Sequence, residues 1–341
     1  MTILSGASPS PAGPSPAGPW AAAGGPLRMT PGRWLALAIG VPVALALIGW
    51  AGFGLVASVA RGSYPFSFGV PVQQGQVALN VNQGNITLHP GAATSSARLT
   101  GTVQYGLSRP GISEWGGPGG FTVGLNCAGV STGNCGMNAS LDVPPRTGVM
   151  LNSNGGDISA SGFASGTQLT AEGGNITASN LSGNVYLDSG GGDVNAEGLT
   201  GTLHADAEGG NITASNWTTT GTMRADTGGG DFSGEGLTGD LQLSTMGGNV
   251  LAYGVTSAVT SVQSGGGDVS LTFSQAPQNL QITAQGGNVI INLPPGSTTY
   301  NIYTPDTQGG NVSFPSLLDS PSSHNAITID SGGGDIIINQ S

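Results

Sequence analysis

The chain has no lysine at all, only seven cationic residues, all arginine, and just 7% charged residues in 341. Phosphate recognition needs clustered Lys and Arg, so nucleic acid is not an expected partner. The charge that is present is acidic, with a net of −11 overall. From Thr147 onward sixteen acidic residues face a single cation, Arg224, a net of −15. Such a surface keeps a protein soluble, repels anionic polymers and attracts divalent cations. The 62 glycines follow no Gly-X-Y period, which excludes a collagen-like rod and makes them turn residues. The only cysteines are Cys127 and Cys135, so one disulfide is the most the chain can form by itself.

What is abundant is a repeat. Gly-Gly, then Asp or Asn, then Ile, Val or Phe recurs ten times, with the polar residue at Asp157, Asn175, Asp193, Asn211, Asp231, Asn249, Asp268, Asn288, Asn311 and Asp335. The steps begin at 18 residues and end at 23 and 24. A recurrent period of this size marks stacked structural repeats. Within one repeat, Asp193 to Glu208, apolar and polar residues alternate on either side of a Gly-containing break. Period two predicts two strands of about five residues per repeat. The turns are the glycine run and Leu-Thr-Gly, where Gly is expected to supply positive φ. One such unit cannot bury its apolar face. Stacking units as parallel strands about 4.8 Å apart buries Val194, Ala196, Leu199, Leu203 and Ala205 against their counterparts, giving a slim β-solenoid. Whether a full turn takes one repeat or two is left open by the pattern.

Three segments precede the repeats. Residues 1–33 are rich in Pro, Ala and Gly and are expected to be a disordered cytoplasmic tail. Trp34 to Ala60 carries no charge and is long enough to span a bilayer, with Pro42 tolerable as a kink and Trp34 and Trp50 suited to an interfacial belt. Arg28 and Arg33 before it and Arg61 after it favour a cytoplasmic N-terminus and exported repeats. The alternative is a cleaved leader ending at Ser58-Val59-Ala60; the long preceding tail and long apolar run argue against it. Residues 61–146 are expected to form a linker and an irregular β cap, with 147–341 as the solenoid, and Val77 to Leu88 reads as a first, looser repeat. Outside the cell, Cys127 and Cys135 are expected to be disulfide-bonded.

Val143-Pro144-Pro145 leading into Gly155-Gly156-Asp157-Ile158, the successive Gly-Asp and Gly-Asn turns, and the echo at Leu293-Pro294-Pro295-Gly296 resemble the bacterial "putative adhesin" domain family of unknown function. The resemblance covers roughly Val77 to the C-terminus. It implies a β-solenoid displayed on the bacterial envelope, often behind one membrane span, and it supplies no catalytic residues. This chain departs from the family in lacking its Lys and Arg and in its lengthened last repeats.

The repeated Asp does not have the Gly-Gly-x-Gly-x-Asp nonapeptide grammar of a calcium roll, and Asn replaces it in alternate repeats. A side chain bonding its own turn backbone is the preferred reading, and no metal or other cofactor is expected. Asp188, Asp206, Asp226 and Asp240 read as a solvated face with one cation among them, and His89, His204 and His324 are isolated in sequence. No nucleophile–base pair is visible, so no catalysis is expected. Thr218-Thr219-Thr220 does not recur from repeat to repeat, which argues against an ice-binding threonine array. The leading expectation is a membrane-anchored, non-catalytic binding or scaffold module, meeting an envelope protein or a glycan. The alternatives are an envelope structural or sensory protein that self-associates end to end or signals through its single span, and, behind it, a polysaccharide-active enzyme. The final Asp335 to Asn339 strand, with no element after it, is what suggests an open end.

Overall fold

The structure is a computed structural model, and it describes residues 38–51, 61–91, 96–117, 120–127, 135–305 and 307–340. Two compact units divide at residue 56. In the first, residues 38–51 are helical, and their large apolar side chains are exposed, Trp50 at 80%. Among the described residues no helix is long and apolar enough to cross a membrane. Both ends of the expected span, 34–37 and 52–60, and the tail before it lie outside the described residues.

The second unit is built from a 14-stranded and a 13-stranded sheet of mostly parallel strands. Each repeat contributes one strand to each sheet, so one repeat is one full turn. Thus Val194–Glu197 pairs with Ile176–Ser179 before it and Ile212–Ser215 after it, while Leu203–Ala207 pairs with Val185–Ser189 and Thr218–Thr227. Equivalent residues therefore stack directly along the axis, rung on rung, about 4.8 Å apart. Side chains alternate in and out. Val194, Ala196, Leu199, Leu203 and Ala205 all point inward and are at most 2% exposed. Leu199 belongs to the Leu-Thr-Gly break, where Leu181, Trp217, Leu237 and Val255 stack with it as a third inner column. Trp217 fits there because its indole N–H donates to the Gly201 carbonyl, 2.9 Å away.

The glycine run works differently from expectation. Its second glycine, as at Gly192 and Gly210, does not have positive φ. It is required because a Cβ there would collide with the backbone carbonyl of the equivalent glycine one rung earlier. Positive φ falls mainly at the other break, as at Gly183, Gly201 and Gly239, and within the glycine runs it occurs only at Gly309 and Gly333 among the described residues.

Both ends of the solenoid fold back, which the repeat pattern does not reveal. At the C-terminal end, Val289–Leu293 pairs with Ile336–Gln340, the last strand in sequence, and that strand is covered in turn by Val312–Ser313. In the other sheet Ala326–Ser331 lies likewise between Asn279–Ala284 and Asn301–Tyr303. The final strand is thus internal. The expectation of an uncapped end is corrected: the outermost rung is made of strands of three and two residues, too short to offer much of an unpaired edge. The apparent lengthening of the last repeats has the same origin, because the true neighbour of Asn288 is Asp335, 47 residues away.

The N-terminal end mirrors this arrangement. The rung of Gln76–Val81 and Asn85–Pro90 sits against the first Gly-Gly rung and is itself covered by Gly120–Asn126 and Gly136–Val143. Antiparallel strands Gly62–Val70, Ala97–Tyr105 and Gly111–Gly117 finish the cap. Val143-Pro144-Pro145 and Leu293-Pro294-Pro295 each lead the chain out of a strand and past one whole rung, from Gly136–Val143 to Gly148–Ser153 and from Val289–Leu293 to Asn301–Tyr303. Proline has a fixed φ and no N–H, so a Pro-Pro pair is extended and leaves the ladder, which suits a double step.

Candidate functional site

The Asp and Asn turn residues form one continuous column. The sequence reading had each bonding its own turn. Instead each side-chain Oδ1 accepts the backbone N–H of the next residue in the column, as when Asn175 donates to Asp157 and Asp193 donates to Asn175. Ten such bonds of 2.7–3.0 Å run through Asn85, Asp157, Asn175, Asp193, Asn211, Asp231, Asn249, Asp268, Asn288, Asp335 and Asn311. In space the alternation of Asn and Asp is unbroken. Where Asn follows Asp, its Nδ2 also donates to the same carboxylate, at 3.1–3.3 Å at Asn175, Asn211, Asn249 and Asn288. Successive charges are thereby two rungs apart. Beneath the column, buried hydroxyls hold the turns: Ser153, Thr227, Thr245, Ser264 and Ser331 each donate to the carbonyl of the second glycine of their own turn. These hydroxyls went unnoticed in the sequence because Ala171, Ala207 and Ala284 interrupt them. The Oδ1 atoms from Asn85 to Asp335 are thus all used in turn construction.

The outer face of the second sheet is different. Register places Gln168, Tyr186, His204 and Arg224 in one outward column and Thr170, Asp188, Asp206 and Asp226 in the next. The Tyr186 and His204 rings stack, with centroids 4.8 Å apart and planes at 14°. Arg224 Nε donates to Asp226 at 2.7 Å, which leaves Asp188 and Asp206 without a salt-bridge partner among the described residues. Burial raises the pKa of Asp188 above the ordinary aspartate value, with Glu208 adding to the rise and His204 opposing it. Asp206 is raised by burial too, then by Asp188 and Asp226. Tyr186 is raised by burial first, then by Asp188 and Asp206. The three aspartates read from the sequence as a solvated face are thus one partly buried stack. Asp240 does not join it, since its register partner is Thr222.

Beside Tyr186 the surface is concave. A groove of 340 Å³ runs along the column past Met150, Gln168, Asn184, Tyr186 and His204. Tyr186 and Gln168 escaped the sequence reading. Their signal was the 18-residue spacing, which means adjacency only once a repeat is known to be one full turn. A larger depression of 550 Å³ at the cap is lined by Arg61, Gln104 and Tyr105 and has no carboxylate in its described wall. Cys127 and Cys135 are joined by a disulfide, with Cα atoms 6.1 Å apart, at the edge of the cap. Among the described residues no group of three His, Cys, Asp or Glu side chains is placed to hold a metal ion.

No family profile matches this chain, and no curated protein matches it. Two solved structures are similar to it. One is a putative cell adhesion protein from Clostridium sporogenes, 12% identical, covering 82% of this chain and 100% of its own, with a TM-score of 0.22. The other is a putative adhesin from Bacteroides fragilis, 10% identical, covering 84% of this chain and 99% of its own, with a TM-score of 0.30. At such TM-scores neither bears on what this chain does.

Proposed function

We propose that the chain is a membrane-anchored, non-catalytic binding module of a bacterial envelope, adhesin-like in role, with its solenoid outside the cell behind a span at Trp34–Ala60. The observation that carries this reading is the outer face of the second sheet. There two stacked rings stand beside a groove, on a scaffold whose rungs hold every side chain at fixed spacing. The charge order around residues 34–60 supports the anchor and its orientation. The experiment is two-part. Protease added to intact cells expressing the full chain should remove the solenoid and leave the span in the membrane. Purified full chain should adhere to cells or to an isolated wall fraction. Protection of the solenoid from external protease refutes the address, and absence of adherence refutes the role.

The alternative of end-to-end self-association is weakened by the short outermost rung at the C-terminal end. The catalytic alternative keeps one supporting observation, the adjacent Asp188 and Asp206 with raised pKa values. Release of reducing ends from a polysaccharide, abolished by Asp206→Asn, would overturn the non-catalytic reading.

A further inference from the structure

We propose that the groove beside Tyr186 is a binding site for a pyranose unit of an uncharged polysaccharide. This deepens the binding-module reading and rests on it.

The rings set the geometry. His204 covers one face of Tyr186 at a centroid distance of 4.8 Å, Gln168 stands one rung away on the other side, and the groove runs beside this column, between it and Gly166, Asn184 and Thr202. A ring held between its rung neighbours and bordering the groove is a rigid amphipathic wall for a sugar ring, giving contact area with little side-chain entropy to lose. Met150, 37% exposed, extends the apolar floor. Gln168, Asn184 and Gln76 line the same groove with amides. Each amide both donates and accepts, which matches the paired donors and acceptors of adjacent sugar hydroxyls. A volume of 340 Å³ is at the small end of ligand sites, which run from about 300 to 1,000 Å³, and suits one or two sugar units rather than a long buried ligand.

Charge selects among sugars. Asp188 and Asp206 stand in the column beside the rings, and Glu208 lies close enough to raise the pKa of Asp188. The cation next along the ring column, Arg224, is engaged by Asp226 at 2.7 Å. The unneutralised carboxylates beside the groove repel a uronate or a phosphorylated sugar, and the groove's own lining offers no guanidinium, so anionic glycans are rejected. Further along the same column stand Gln242, Ser261, Gln281 and Thr328, with no ring before Tyr303 on the outermost rung, so the stacked pair of rings belongs to these rungs and not to the repeat in general.

The test uses the full chain and calorimetric titration with oligosaccharides of glucose, of galactose and of N-acetylglucosamine, against galacturonate oligomers of equal length. A neutral series is expected to bind and the galacturonates not. Tyr186→Ala and Gln168→Ala are each expected to weaken binding about tenfold or more, as for an anchor at an interface centre. Tyr186→Phe keeps the ring and should keep affinity, and Gln281→Ala, remote on the same face, should change nothing. All three residues point outward, so unchanged melting temperatures separate lost contacts from lost fold. Neutral binding that survives Tyr186→Ala overturns the site and leaves the module reading standing. Stronger binding of galacturonate overturns the charge argument. Failure to bind any saccharide by a chain that still adheres to cells overturns the inference alone; failure in both assays overturns the module reading as well.

Discussion

Asn211→Asp tests whether the alternation along the turn column matters for charge or only for hydrogen bonding. Asn211 lies between Asp193 and Asp231; its Oδ1 accepts the Asp231 N–H at 2.8 Å and its Nδ2 donates to Asp193 at 3.1 Å. An aspartate keeps the first bond, because a carboxylate oxygen also accepts, and loses the second, worth about 1 kcal/mol. It also places three carboxylates in a row about 4.8 Å apart. At this exposed corner each adjacent pair costs about 0.9 kcal/mol at the dielectric of water, so two new pairs cost roughly 1.7. The expected loss at neutral pH and low salt is therefore about 2–3 kcal/mol. Urea, being uncharged, is the suitable denaturant, and exchange of the Asp231 amide reports the same change locally. In about 1 M NaCl, where the Debye length falls to roughly 3 Å, most of the charge part should disappear and about 1 kcal/mol should remain. The reverse substitution, Asp193→Asn, keeps an acceptor for the Asn211 N–H and removes a charge, so its cost should stay within about 1 kcal/mol. Equal losses for the two variants, or a loss indifferent to salt, would refute the charge argument.

Three other perturbations follow from the packing. Thr260 Oγ1 is buried without a hydrogen-bond partner among the described residues, in the inner column of Leu241, Leu280 and Ile327, so Thr260→Val should raise stability by about 1 kcal/mol in the same denaturation assay. Gly210→Ala would drive a methyl into the Gly192 carbonyl and should cost about 3 kcal/mol or prevent folding, whereas Gly209→Ala, whose Cβ would lie 3.5 Å from its nearest neighbour, should stay within about 1 kcal/mol. Asp188 and Asp206 have raised pKa values in the fold, so their contribution to stability is complete below the unfolded value near 3.9 and is lost as pH rises through the folded value. Asp206→Asn should accordingly melt above the parent at pH 7, with the gap closing as the pH falls through that window; a variant that melts lower at pH 7 contradicts the assignment.

The rungs were legible because their signals are local. Period-two alternation placed Val194, Ala196, Leu203 and Ala205 inside, and all four are at most 1% exposed. What was not legible depends on which rung lies next to which. The Asp and Asn side chains bond across rungs, a relation invisible until a repeat is known to be one turn. The Tyr186–His204 stack is hidden in the same way, as an unremarked tyrosine and a histidine isolated in sequence, 18 apart until the register makes them neighbours.

The folded-back end is the harder case, yet the sequence did carry its trace. Read in order, the alternation of the turn residues fails once, where Asn288 is followed by Asn311 before Asp335. A column that alternates for charge has no reason to fail at its next-to-last step, and two adjacent asparagines would be the one unmatched junction in it. The failure disappears if the last rung in sequence is the next-to-last in space, and the structure has that order: Asp335 donates to Asn288 at 3.0 Å and Asn311 donates to Asp335 at 2.9 Å. Leu293-Pro294-Pro295, five residues beyond Asn288, marks the point at which the chain leaves room for the rung that returns. The lapse in alternation and the Pro-Pro pair are therefore one signal. Val143-Pro144-Pro145 marks the corresponding double step at the other end, where the rung left room for is the earlier one that carries Asn85. In a solenoid of this kind, a break in a turn-residue pattern placed just after a Pro-Pro pair points to a rung inserted out of sequence order.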